Sequence, residues 1–441
     1  MSLRKTLPAG VIDAGFNSLA TFAVGLTATR ILEPALLGVY AVFYTAHLVG
    51  IAVPWYLIYT PAEIRAIERE MDQRLPILRQ SIFLATGPSL LTGLAILMAL
   101  VVVRSQASTS QLLGLAWTAA VATVLIPAQA HVRRMLHIAG SSWLAATTSA
   151  TQLVASTAAI FALLAADVPN VLVPFGALAI ATLISILIGL VLAAPWRRRS
   201  HQRLNMTDLV TTGRWLLVTG VLPAVAGFVA ASLISHLASP EDLGFAEAAR
   251  LAAQPLFVLV TGLNAVLGPR SMEAAHRHDR VTARYLERVY IVIVLAAAAG
   301  YVAVAGGAWA WNPFYYAMPA AYKIAGLTAL MIVANVGVGF AMPPQRELLG
   351  GHLEKKLAKI EVLSSAFLVL TAATAFATKS YARPASVAAQ NLWRNIHYRR
   401  DLQPLYREPP KTFFGHFDII PSVIGAEGIP GGHPSPGQPG N

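Results

Sequence analysis

The chain has 441 residues, 56% hydrophobic and only 12% charged, with a formal net charge of +12. Soluble domains carry about 25% charged residues, so the composition excludes an ordinary soluble enzyme, a disordered chain and a fibrous protein. A mean hydropathy of +0.59 makes lipid the main solvent, and the lack of cysteine excludes disulfides, thiolate metal sites and cysteine nucleophiles.

A membrane-spanning helix needs about 20 mostly apolar residues. The first such stretch is 6–29, broken only by Asp13. The preceding Arg4 and Lys5 give it the look of a signal peptide, but its length and the spans that follow make it an uncleaved first helix. Charge-free stretches follow at 34–62, 80–103, 105–132, 135–166 and 168–196, and then at 215–240, 251–269, 289–322, 324–345 and 362–378. Several contain proline, which membrane helices tolerate when neighbours satisfy the freed carbonyls. A poorly apolar twelfth candidate, about 380–398, carries Arg383 and Arg394.

These stretches predict an all-α polytopic membrane protein of about 12 helices, 11 of them clear, in two six-helix bundles around a central cavity. The expected organisation is an N-terminal bundle over 1–198, a basic linker over 199–214, a C-terminal bundle with a degenerate last helix over 215–400, and a Pro/Gly-rich disordered tail over 401–441.

Lys and Arg set the orientation. Twenty-two of them fall on loops of the N-terminal side, among them Arg65, Arg133, Arg197, Arg277 and Lys355; the other side has Arg30, Arg104, Arg250 and Lys323. The N-terminus is therefore expected in the cytoplasm. The basic isoelectric point then follows from topology and calls for no nucleic-acid partner. The arginine-rich stretch 269–288 is expected to meet anionic membrane lipid, or to serve topology alone.

Internal similarity appears across the linker at a shift of 206 residues. Pro34-Ala-Leu-Leu-Gly38 matches Pro240-Glu-Asp-Leu-Gly244, each between the first and second helix of its half. Arg133-Arg-Met-Leu136 is a looser echo of Arg346-Glu-Leu-Leu349. Each half has an even number of spans, so the repeats share an orientation and an axis along the membrane normal is expected to relate them.

In these motifs the sequence resembles the multidrug/oligosaccharidyl-lipid/polysaccharide exporter superfamily, and within it the polysaccharide (Wzx-type) flippase branch. The likeness rests on Thr29-Arg-Ile-Leu-Glu-Pro-Ala-Leu-Leu-Gly-Val-Tyr40, on Leu243-Gly-Phe-Ala-Glu-Ala-Ala-Arg250-Leu-Ala-Ala-Gln254-Pro255, and on Leu267-Gly-Pro-Arg270. It covers roughly residues 8–378; an apolar last helix, expected in the family, is not evident after Thr378.

Ionisable groups inside a span are costly and usually face a cavity or a partner. Asp13 and Asn17 share a helix face, as an ion-coupling pair or as helix-packing hydrogen bonds. Arg30 and His236 occupy matching positions in the two repeats, either gripping an anionic head group or snorkelling to the interface. Tyr40, Tyr44 and His47 form one face, for stacking on sugar rings or for packing. Arg250, about 9 Å into its helix, pairs with Gln254 at i+4. The resemblance implies that an arginine here faces the central cavity, where a guanidinium suits phosphate oxygens; the alternative is a structural ion pair with Glu247 or Glu241. Asn264, Asn335, Gln129 and Gln152 are expected to bridge helices.

No phosphate-binding Gly-Lys loop, metalloprotease motif or Gly-x-Ser-x-Gly occurs, so neither ATP hydrolysis, a cofactor, a metal nor enzymatic activity is expected. The resemblance implies a bacterial inner-membrane flippase for a polyprenyl-pyrophosphate-linked oligosaccharide, working by alternating access alongside a polysaccharide polymerase and glycosyltransferases. The alternatives are a cation-coupled multidrug exporter of the same superfamily and, third, a membrane-embedded glycosyltransferase or polymerase.

Overall fold

The computed structural model describes residues 3–67, 71–193, 204–303 and 319–406, and no strand occurs among them. The first half contributes α1 (Leu3–Ile31), α2 (Pro34–Pro54), a π-helical segment (Trp55–Tyr59), α3 (Thr60–Ile67), α4 (Met71–Leu91), α5 (Gly93–Val102), α6 (Thr109–Ile138), α7 (Ser142–Ala165) and α8 (Val173–Leu192). The second contributes α9 (Met206–Leu237), α10 (Pro240–Ala252), α11 (Gln254–His276), α12 (Arg280–Tyr301), α13 (Leu327–Gly350), α14 (Glu354–Ala372), α15 (Ala375–Thr378) and α16 (Ala382–Leu402).

Among the described residues, eight segments are long and apolar enough to cross a membrane. Two bent pairs also qualify when each is taken together: α10 with the start of α11, bent by 51°, and α14 with Ala375–Leu402, bent by 49°. The expected span 289–322 is represented by α12, with 304–318 outside the described residues. Large apolar side chains point outward: Phe83 is 80% exposed, Trp117 72% and Phe376 70%. Such a surface would be unstable in water and is matched to hydrocarbon.

Two sequence boundaries move. α9 begins at Met206, so the later part of the 199–214 linker is helix, started by Asn205, whose side chain accepts from the Thr207 N–H. The arginine-rich stretch 269–288 is mostly the end of α11 and the start of α12. Asp279 caps α12: its carboxylate accepts the Thr282 hydroxyl and the N–H groups of Thr282 and Val281, which holds it below the usual carboxylate range. α16 reaches Leu402, just past the expected start of the tail; 407–441 lie outside the described residues.

The weak twelfth candidate is a full helix. Glu361 of α14 meets Arg394 and Tyr398 of α16, and Phe367 stacks on Trp393 at 5.4 Å. As one residue number rises the other falls, so the helices run antiparallel. Arg394 spans Glu361 (2.6 Å) and Ser364 (3.2 Å), and Arg383 lies 3.9 Å from Glu247. The charges that make this helix look degenerate are therefore directed at carboxylates inside the bundle.

The two halves meet chiefly where α2 packs on α9 and α10. Pro34 and Pro240 start their helices, where a missing N–H is harmless. One turn later the glycines of the repeated motif touch the partner motif's backbone. A Cβ on Gly38 would lie 1.8 Å from the Pro240 carbonyl oxygen; one on Gly244 would lie 2.0 Å from that of Pro34. The contact is reciprocal, so the pseudo-twofold axis runs between the two motifs. One hydrophobic core crosses this seam, from Leu37 and Phe43 to Ile234 and Leu243.

Candidate functional site

The seam carries a buried group of charged and aromatic side chains. Glu247, fully buried on α10, accepts two hydrogen bonds from Arg250, Nε at 2.9 Å and Nη2 at 2.7 Å. Arg383 approaches from α16. The Arg250 guanidinium lies 4.8 Å from the ring centroid of Tyr44, on α2 of the other half. Two cationic groups thus share one carboxylate, and one of them is roofed by an aromatic ring, a favourable cation–π arrangement.

Tyr44 belongs to an aromatic face. Its ring lies 6.2 Å from Tyr40 and 6.1 Å from His47, as the i, i+4, i+7 spacing requires. Phe175 of α8 closes the group, 4.9 Å from Tyr40 and 5.7 Å from His47. The Thr123 hydroxyl donates to the Ala119 carbonyl, so its oxygen accepts from His47 Nδ1–H at 2.8 Å. Tyr40 and His47 are buried, and Tyr44 alone is partly open.

Just past Arg250 the helix breaks at Ala253, because Pro255 has no N–H for an i−4 carbonyl. Two carbonyls at the break find partners: Tyr301 donates to Ala252 and Asn335 to Ala253. The Oε1 of Gln254 is buried there without a hydrogen-bond partner. Gln254 thus sits at a discontinuous helix one turn from Arg250, a geometry that membrane transporters use for binding.

Asp13 lies elsewhere, towards the N-terminal side. Arg133 grips it with Nε at 3.0 Å and Nη2 at 2.6 Å; His137 Nε2 at 3.0 Å and the Ser149 hydroxyl at 2.5 Å complete the set. Asn17 is half-buried and stands outside it. His236 and Arg30 are both exposed, and His236 lines a cleft of about 590 Å³ between α5 and α9 with Arg104; Arg30 is not among its lining residues. The single polar residues do bridge helices: Gln129 donates to Gln152 and Ser185, and Asn264 accepts from Arg346.

Sequence reasoning carried Arg383 only as a charge in the poorly apolar last helix, and named Glu247 as an ion-pair partner of Arg250, which the structure shows. The available signal was that Glu247, Arg250 and Arg383 fall within stretches expected to be helical. No group of side chains suited to a metal ion occurs among the described residues.

Known structures share this architecture. An inward-facing multidrug resistance MATE family transporter of the MOP superfamily aligns with a TM-score of 0.64 at 13% identity, over 92% of this chain and 96% of its own. The fold is that of the MATE transporters. An outward-facing MATE structure aligns at 0.62 and 13% identity, over 93% and 98%. A Pyrococcus furiosus MOP superfamily transporter, described as having a binding pocket of reversed polarity that suggests a different function, aligns at 0.60 and 14% identity, over 92% of this chain and 96% of its own. No protein-family model and no curated protein sequence matches the chain. At such identities the MATE likeness is one of fold. It agrees with the superfamily that the sequence resembles and gives no support to its polysaccharide branch.

Proposed function

We propose that this chain is an alternating-access membrane exporter whose cargo binds at the seam, beside Tyr44, Arg250 and Gln254. The carrying observation is the reciprocal contact of the two Pro-x-x-Leu-Gly motifs. It makes the seam a backbone pivot between two like halves, with a polar and aromatic group beside it. Fold neighbours named as inward-facing and outward-facing transporters support the same mechanism.

For the cargo, a multidrug-type exporter stands first, because the MATE neighbours named for a substrate are multidrug transporters. The aromatic face and the buried Glu247 suit a flat organic cation. A lipid-linked oligosaccharide stands second. Two arginines around one glutamate leave the site cationic, which favours an anionic load. Only this second reading brings in a polymerase and glycosyltransferases as partners. Anionic lipid at the arginine-rich stretch 269–288, and a bacterial inner membrane with a cytoplasmic N-terminus, follow from the basic loops and belong to this proposal.

The test is ethidium efflux from cells that make the protein, with surface-glycan complementation in parallel. Efflux that falls in Tyr44→Ala and Arg250→Ala supports the drug reading. Glycan restored by wild type and lost in Arg250→Ala supports the second. Neither activity, at normal protein levels, overturns both.

A further inference from the structure

Away from the seam, one buried ion pair has hydrogen-bonding capacity left over. Glu63 on α3 is 6% exposed and His131 on α6 is fully buried. His131 Nδ1 lies 3.5 Å from Glu63 Oε1, and neither atom has a hydrogen-bond partner.

The other ring nitrogen fixes what Nδ1 can be. His131 Nε2 lies 3.0 Å from the Leu78 carbonyl oxygen, which only accepts, and 2.8 Å from Ser81 Oγ. Ser81 gives its own proton to the same carbonyl at 2.7 Å. The tautomer with hydrogen on Nε2 is the one that satisfies this carbonyl, and Nε2 is assigned the hydrogen on that ground. In a neutral imidazole Nδ1 is then a lone pair aimed at a carboxylate oxygen, two acceptors facing each other in a buried space. One added proton, on either atom, turns the contact into a donor–acceptor pair.

Arg134 joins this pair to the surface. Its Nη1 is 3.2 Å from Glu63 Oε2, and its side chain is 49% exposed. It also lies over the ring of Trp55 at 5.0 Å, while Tyr59 stacks on His131 at 4.2 Å. Trp55 and Tyr59 begin and end the π-helical segment that follows α2; such segments often mark functional sites. α9 accommodates this segment with glycines: a Cβ on Gly213 would lie 2.5 Å from the Leu57 carbonyl oxygen, and one on Gly220 would meet Tyr56 at 2.0 Å. The elements packed on α3 are α4, α6, α9 and the π segment. Their charged and titratable groups are Asp72, Arg74 and Arg79; His131, Arg133, Arg134 and His137; Asp208, Arg214 and His236; and Tyr56 and Tyr59. The ion pairs described for Glu63 are those with His131 and Arg134.

We propose that Glu63 and His131 hold a single exchangeable proton, and that this proton couples export to a proton gradient. The coupling clause rests on the exporter reading; the proton-holding clause does not. With the proton bound, Glu63 and His131 together are neutral and Arg134 is free to leave. Without it, Glu63 claims Arg134, directly over Trp55. The switch thus acts on the π segment of the helix that carries Tyr44. Asp13, by contrast, is filled by a bidentate arginine and two further donors.

Two measurements test this. In everted vesicles, ethidium uptake driven by a pH gradient is compared with ethidium counterflow at equal pH. The Glu63→Gln, His131→Gln double variant is expected to lower the ratio of driven to counterflow flux at least tenfold; an unchanged ratio overturns the coupling clause. The second needs no cargo: nitrogen NMR of histidine-labelled wild type, with the His131 signal identified by its shift in Tyr59→Leu, which removes the stacked ring. Nδ1 is expected to gain a proton as pH is lowered while Nε2 stays protonated. A ring that never changes, or one that changes at Nε2, overturns the proposal. If wild type moves no ethidium, the drug reading falls and the NMR result still decides the proton site.

Discussion

Arg250 and Tyr44 occupy the same position in the two repeats, 206 residues apart, and they touch: the guanidinium lies 4.8 Å from the ring centroid. A pseudo-twofold axis brings equivalent positions together only close to itself. This contact, a helical turn and a half beyond the Gly38–Gly244 crossing, therefore marks a group on the axis, where relative movement of the halves changes its surroundings.

The crossing depends on glycine. Gly38→Ala and Gly244→Ala each place a Cβ within 2.0 Å of a partner carbonyl oxygen, so backbone must move. Each is expected to destabilise by about 1–3 kcal/mol. Gly227→Ala, with nothing within 4 Å of its added Cβ, serves as the control and is expected to be neutral or slightly stabilising. Thermal unfolding in detergent checks all three; a Gly38→Ala protein as stable as wild type would contradict the crossing.

Glu247→Gln leaves Arg250 and Arg383 without their shared carboxylate in a buried site. Breaking such a pair costs about 3–5 kcal/mol. The double change Glu247→Gln, Arg383→Met is expected to recover part of that loss, because one uncompensated charge goes with it. Denaturation midpoints of the two variants, set beside wild type, measure the recovery.

The Tyr44–Arg250 contact separates from simple packing in a double-mutant cycle. Tyr44→Phe keeps the ring face and is expected to be mild. Tyr44→Ala is expected to lose about 0.5–2 kcal/mol of coupling to Arg250, the range for cation–π pairs. The coupling is read as the non-additivity of Tyr44→Ala and Arg250→Ala in thermal stability; additive effects would remove the interaction.

Arg394→Ala strips α16 of its bridge to Glu361 and Ser364. Hydrogen exchange is expected to rise across 382–402 and in the facing turns of α14, with α6–α8 unchanged. Uniform exchange throughout the chain would indicate that α16 is not held locally by this pair.

The sequence by itself determined the solvent, the helical class and the repeat. Apolar run length and charge placement suffice for those, since each depends on composition along the chain. It also placed Tyr40, Tyr44 and His47 on one face, because helical period is local. Tertiary structure decided which charges are compensated. Arg383 and Arg394 read as defects in a last helix until Glu247 and Glu361, far back in sequence, are seen to face them. Asp13 read as a partner of Asn17 until Arg133, His137 and Ser149 are seen to close on it. Pairing energy inside a membrane depends on distances of about 3 Å between groups many residues apart, and no pattern along one chain encodes that distance. The repeat motif shows the division most plainly: its recurrence was legible, while the reason for its glycines appeared only when the two copies were found back to back.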